Sequence, residues 1–174
     1  QSAAGVGRNR RMSDLASNVN LIFDIDEQLV DARTTFRSPL ARHLHEWWAG
    51  YKDGPPRRKD FNITEHAVLA ANIFVVECRP NGEFSFRLLG DEVIHIIGRN
   101  RTGEILKPGA VGEYGHELFG YYTKIVRTRA CMKCVGYLKF QDSNVARFES
   151  IDCPLVDDEG KVTRIIGVMD TLEP

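Results

Sequence analysis

Residues 73–89 constrain the fold more than any other stretch. Ile73-Phe-Val-Val-Glu-Cys-Arg79 and Glu83-Phe-Ser-Phe-Arg-Leu-Leu89 are rich in β-formers, and Pro80-Asn81-Gly82 between them has the chemistry of a tight turn. Phe84, Phe86 and Leu88 alternate with Ser85 and Arg87, which gives the second strand one apolar and one partly wet face. A hairpin commits its sheet to antiparallel pairing, and the last third of the chain continues in the same mode. Residues 133–140, 145–155 and 162–171 read as strands, with turn residues at 141–144 and 157–160, and so predict a meander.

Helical spacing fills the gaps. Leu118, Tyr122, Ile125, Val126 and Arg129 follow i, i+4, i+7, i+8 and i+11, so residues 113–129 should form a helix with one buried face. Residues 91–97 also show helical turns, and residues 98–109 read as a polar loop. Upstream, Ser38-Pro39 is an N-cap followed by proline at the first helical position, and Leu40, Leu44, Trp47, Trp48 and Tyr51 form an apolar stripe that should end before Gly54-Pro55-Pro56. Arg57-Arg58-Lys59 reads as a solvated corner, and residues 64–71 as a short helix. Between Asn20 and Arg33, Leu21, Ile22, Ile25, Leu29 and Val30 recur at helical spacing and predict an amphipathic helix. The order helix, β, β, helices, β, β, β implies an α+β domain: an antiparallel sheet with its helices gathered on one face and an N-terminal helical extension.

At 174 residues the chain fits one domain plus a tail. Twenty-three Lys and Arg against 24 Asp and Glu leave a net charge of −1, without the basic excess that phosphate neutralisation requires, so nucleic acid is not an expected partner. The apolar fraction of 43% supports a sizeable core. The longest weakly polar run, residues 67–76, is about half of what a membrane span needs, so no membrane association is expected. Gln1 to Arg11 lacks the apolar stretch of a secretory signal; with Gln1 preceding Met12, it reads as a residual vector-derived tail. Four scattered cysteines are too few for a disulfide scaffold, and the expected location is a reducing cytoplasm.

Several motifs in one order resemble the PAS sensor domains, and in particular the short bacterial proteins that are little more than one such domain. They are Leu44-His-Glu-Trp-Trp48, Pro56-Arg-Arg-Lys-Asp-Phe61, Phe86-Arg-Leu-Leu-Gly90, Gly98-Arg-Asn-Arg-Thr-Gly103, the helix through Tyr122 and Val126, Arg147-Phe-Glu-Ser-Ile-Asp-Cys-Pro-Leu155, and Ile165-Ile-Gly167. The resemblance implies a PAS-like domain over residues 38–174 behind a tail at 1–37, with a five-stranded antiparallel sheet cupping an apolar pocket closed by the central helices. It also implies a sensory or protein-interaction role and dimerisation through the flanking helix. The family includes haem, flavin and metabolite binders as well as ligandless members, so it names no cofactor.

Other residue sets carry competing chemistry. Leu21-Ile-Phe-Asp24-Ile-Asp26 also resembles the nucleophile motif of haloacid-dehalogenase-type phosphatases, in which one aspartate attacks phosphorus and a second acts as acid. Glu27-Gln28 departs from that pattern, and the strand–helix alternation of a parallel sheet does not follow. Cys131-Met-Lys-Cys134 has redox spacing without a thioredoxin-like context, and two thiols alone do not make a zinc site. No histidine lies in a metal-ligand pattern; His95, then His116, would be the haem-ligand candidates, against a plain helix-surface role for each. Arg99 and Arg101 could hold an anion, or could pair with acids such as Asp91 or Glu92.

These readings converge on a non-catalytic domain. Its apolar interior, bounded by Phe84, Phe86, Ile94, Ile97, Tyr122, Val126, Leu138, Phe148 and Ile166, either binds a small molecule or is packed core. Leu40, Leu44, Trp47 and Trp48 are the candidates for a homodimer or signalling-partner surface, because adjacent indoles point about 100° apart and cannot fill one core site.

Overall fold

The computed structural model describes residues 20–109 and 115–174. The tail expected at Gln1 to Arg11 and the His116 side chain lie outside the described residues. The strands are β1 (Leu21–Leu29), β2 (Ile73–Cys78), β3 (Phe84–Leu89), β4 (Ile105–Leu106), β5 (Met132–Lys139), β6 (Val145–Val156) and β7 (Val162–Leu172). The α-helices are α1 (Pro39–Ala49), α2 (Asp91–Ile97) and α3 (Gly115–Thr128), with short 3-10 turns at Arg58–Asp60 and Ile63–Leu69. All seven strands join one sheet in the order β1-β5-β6-β7-β2-β3-β4. Every neighbouring pair in it is antiparallel.

The expected α+β class, the hairpin and the meander are all present, but the sheet is larger than five strands. Ile105–Leu106 adds a short strand beside β3. Residues 21–29 are not the expected helix: they form β1, the edge strand beside β5. Asp24 takes a φ of 51°, and the register jumps between Phe23 and Asp26. A bulge here shifts the alternation of side chains, so the apolar spacing imitates a helix although the backbone is extended.

Helices cover both faces rather than one. On the first face, α2 and α3 pack Val93, Ile96, Tyr121, Tyr122 and Ile125 against Phe74, Val76, Phe84, Phe86, Met132, Leu138, Phe148, Ile165 and Met169. On the second, α1 packs Ala41 and Leu44, with Trp47 and Trp48 partly buried, against Ile151, Cys153, Leu155, Ile166 and Val168. The central strands therefore have two covered faces, which explains why β6 is buried at every residue from Phe148 to Val156.

The start of α1 follows its sequence signal. Ser38 is the N-cap, its Oγ accepts from the Ala41 N–H at 3.1 Å, and Pro39 follows at the first position. The same hydroxyl donates to Asp170 Oδ2 at 2.6 Å. The Glu149 carboxylate, 0% exposed, accepts from the Ser38 N–H at 2.9 Å and the Arg37 N–H at 3.2 Å, with Lys133 Nζ 3.5 Å away. At the other end, Trp48 Nε1 donates to the Pro154 carbonyl at 2.8 Å, so α1 is tied to the sheet at both ends.

Candidate functional site

The interior between the sheet and α2/α3 has a floor of aromatic rings laid against glycines. Phe74 faces Gly167 across β2 and β7, and a Cβ at Gly167 would stand 2.0 Å from the Phe74 ring. Phe148 faces Gly136 across β6 and β5, where an added Cβ would stand 2.8 Å from the ring. In each pair, glycine on one strand makes room for phenylalanine on the next, an arrangement that also pins register. Above the floor, Tyr122 lies 5.4 Å from Phe84 and 6.3 Å from Phe86 between ring centroids, and Phe119 lies 5.5 Å from Phe84.

Seven of the nine residues expected to bound the interior lie in or against it. Phe84, Phe86, Tyr122, Leu138 and Phe148 are buried in this interior, and Ile97 and Val126 pack against it partly buried. Two are corrected. Ile166 faces α1, while its neighbour Ile165 faces inward, because successive strand residues point to opposite faces. Ile94 is only half-buried on α2, whose inward positions are Val93 and Ile96. Leu88 also moves outward, at 46% exposed. The register shift opposite Val75 and Val76 leaves Arg87 as an extra residue, so Leu89 takes the inward place after Phe86.

A buried polar group inside this apolar space escaped the sequence reading. Asp152 projects from β6 among the aromatic residues and accepts from the Tyr121 hydroxyl of α3 at 2.6 Å. Burial pushes the Asp152 carboxyl up to about 7, although the hydrogen bond from Tyr121 pulls the other way; the nearby Glu27 charge adds to the rise and a hydrogen bond from Ser150 opposes it. Burial, then the Asp152 charge, also holds Tyr121 well above the ordinary phenol range. The signal lay in the spacing of Glu149 and Asp152. Acids three apart on a strand point to opposite faces, so covering both faces buries both.

The remaining candidates lie apart from the interior. His95 is exposed, and its ring stacks on Phe140 with centroids 5.4 Å apart, so it does not reach inward as a haem ligand would. Arg99 and Arg101 both pair with Glu104 rather than with Asp91 or Glu92; Arg101 Nε is 2.6 Å from Glu104 Oε2, and its guanidinium lies 4.7 Å from the Phe86 ring. Despite partial burial, these arginines pull the Glu104 carboxyl below its ordinary range. Leu44 is 0% exposed within its own domain and so cannot meet a partner, whereas Leu40, Trp47 and Trp48 keep some exposed surface. Trp47 contacts Phe61 and His66 at 5.0 and 6.0 Å between centroids.

The redox spacing of Cys131 and Cys134 does not survive folding. Cys131 is buried on the α1 side, while Cys134 packs against the interior, since residues three apart on extended chain face opposite ways. Burial keeps the Cys134 thiol well above its ordinary pKa and pushes Cys78 up to about 12. The phosphatase motif also loses its scaffold: Asp24 and Asp26 lie exposed on an edge strand of an antiparallel sheet, not at the end of a central parallel strand. Among the described residues, no group of three or more His, Cys, Asp or Glu could hold a metal ion, and no helix is long and apolar enough to cross a membrane.

A family profile described as PAS domain matches residues 36–170. None of the curated proteins matches this sequence. Among solved structures, an RNA-binding light-oxygen-voltage receptor aligns with a TM-score of 0.48 and 13% identity over 84% of this chain and 38% of that one. A light-oxygen-voltage domain studied with a flavin analogue aligns at 0.42 and 14%, over 64% of this chain and 84% of that one. A sensory box histidine kinase/response regulator from Burkholderia thailandensis E264 aligns at 0.36 and 10%, over 64% and 85%. The chain thus spans well under half the length of the first of these proteins.

Proposed function

The chain belongs to the PAS domain family, whose domains are sensory, and we propose that it works as a sensor rather than a catalyst, with a small molecule held in the interior between the sheet and α2/α3. The observation that carries this reading is the two-sided role of β6. Phe148 and Asp152 face the interior, while Glu149, Ile151, Cys153 and Leu155 hold α1 and its N-terminus. A ligand that prefers one position of α3 over another would act on Asp152 through Tyr121, and the same strand would carry the change to α1. Only a difference in affinity between the two arrangements shifts the population. The output is a change at the α1 surface, read by a second copy of the chain or by a signalling partner in the cytoplasm. With a net charge of −1, neither nucleic acid nor a membrane surface is the partner.

A second reading has its own support in the close ring packing of Phe84, Phe86, Phe119 and Tyr122. In it, the interior is solid core, and the domain is a ligandless interaction module. Absorption spectroscopy and mass analysis of protein extracted from cells separate the two. A Soret or flavin band, or a stoichiometric co-purified metabolite released on unfolding, is expected for the sensor. Protein that is empty as extracted and binds nothing from a metabolite extract overturns it in favour of the module.

A further inference from the structure

The strand register brings together two thiols that the sequence keeps apart. Met132 pairs with Asp152 at the start of β5, and one further step of the antiparallel count sets Cys131 opposite Cys153. Both cysteines are free, and both lie in the cluster beneath α1, at 1% and 0% exposed. The Cys153 thiol, already hard to ionise because it is buried, interacts directly with that of Cys131. The other two cysteines have no such neighbour. Cys78 is on β2 and Cys134 on β5, with β6 and β7 between, which sets them about 14 Å apart at roughly 4.8 Å per strand, beyond disulfide reach.

Cys131 also borders a cleft, though it is itself only 1% exposed. It lines this cleft, of about 320 Å³, together with Val30, Asp31, His45, Trp48 and Arg129. A small oxidant fits there many times over, since a water molecule takes up about 30 Å³.

We propose that Cys131 and Cys153 form a thiol-oxidation site that reacts with hydrogen peroxide and closes to a cross-strand disulfide. The Cys131 thiolate attacks one peroxide oxygen, the O–O bond breaks, and the departing hydroxide takes a proton to leave as water, so that Cys131 becomes a sulfenic acid. The Cys153 sulfur then attacks the Cys131 sulfur; the S–S bond forms, the S–O bond breaks, and the hydroxyl leaves as a second water with the Cys153 proton. The two thiols lose two electrons and two hydrogens in all, and one peroxide is reduced to two waters. The product would staple the start of β5 to β6 directly beneath α1, so oxidation and the interior would act on the same helix.

The test treats the intact, reduced protein with hydrogen peroxide, followed by alkylation under denaturing conditions and peptide mapping. The expected result is a mass loss of two hydrogens, a fall in alkylatable thiols from four to two, and a cross-link between the Cys131 and Cys153 peptides that dithiothreitol reverses. In Cys153→Ser, Cys131 should stop at the sulfenic acid and be trapped by dimedone; in Cys131→Ser, neither product should form. A cross-link between any other pair, irreversible oxidation of Cys131 without a cross-link, or four unreacted thiols under peroxide that consumes free cysteine would overturn the proposal. The wild-type map decides the question even if a variant fails to fold.

Discussion

Tyr121 on α3 and Asp152 on β6 meet at 2.6 Å inside a wall of aromatic rings, the tyrosine donating and the aspartate accepting. The folded protein keeps the Asp152 carboxyl near 7, above its ordinary 3.8. Between those values the native chain holds a proton that the unfolded chain has released, so this residue makes stability fall as the pH rises from about 4 to about 7 and then level off. Asp152→Asn keeps an acceptor for Tyr121 and removes the ionisation. Thermal melts from pH 4 to 8 should show a flatter profile in the variant, with a Tm gain of about 2 °C or more at pH 8. An unchanged slope would place the titration elsewhere.

His66 contributes with the opposite sign. Its Nδ1 lies 2.9 Å from His43 Nε2, and burial, followed by the His43 charge, lowers its pKa below the ordinary 6.5. The native state resists protonation there, so the stabilisation present above pH 6.5 is lost as the pH falls through the depressed value. His66→Gln should flatten the melting profile on the acid side of 6.5, while Asp152→Asn leaves that component in place. Melts of the two single variants and the double variant on one pH series check that the contributions separate.

Glu149 is the buried charge on which the approach to α1 depends. Glu149→Ala leaves the Arg37 and Ser38 N–H groups without their acceptor and Lys133 without its counter-charge. The expected cost is roughly 3 kcal/mol, the scale of breaking a buried pair from one side. Urea unfolding measures it. A loss within about 0.5 kcal/mol, the usual size for a surface substitution, would contradict the placement.

Two glycines should respond to alanine in opposite directions. At Gly90 an added Cβ would stand 2.3 Å from the Ala71 carbonyl oxygen, which is backbone and cannot rotate away. Gly90→Ala should cost about 1–3 kcal/mol. Gly120 lies within α3 with nothing within 4 Å of the added carbon, so Gly120→Ala should add about 0.5–1 kcal/mol. Denaturant midpoints for both variants provide the comparison.

Signals confined to a few neighbouring residues could be read before folding. The β2–β3 hairpin, the three-strand meander and the Ser38-Pro39 start of α1 depend on turn and cap chemistry that acts within one or two turns of chain. Features that depend on partners far along the sequence were harder to see. The Asp24 bulge disguised β1 as a helix, and the extra Arg87 moved Leu88 out of the interior. Ile166 and Cys134 were assigned by composition and spacing, but the side each faces is set by strand phase, which only pairing reveals. The burial of Asp152 and Glu149 depends on α1 and α3 lying on opposite sides of β6, which no local signal announces. The Cys131–Cys153 pairing likewise depends on where β6 returns beside β5.

The family match begins at residue 36, after β1 has ended, yet β1 lies along the whole of β5 from Leu21 opposite Lys139 to Leu29 opposite Met132. A chain trimmed to the matched limits would strip β5 of its outer neighbour and leave a row of amide and carbonyl groups unpaired. Such a flank invites self-association. Clumping of the shortened form would then reflect the missing guard strand rather than any natural habit of the domain.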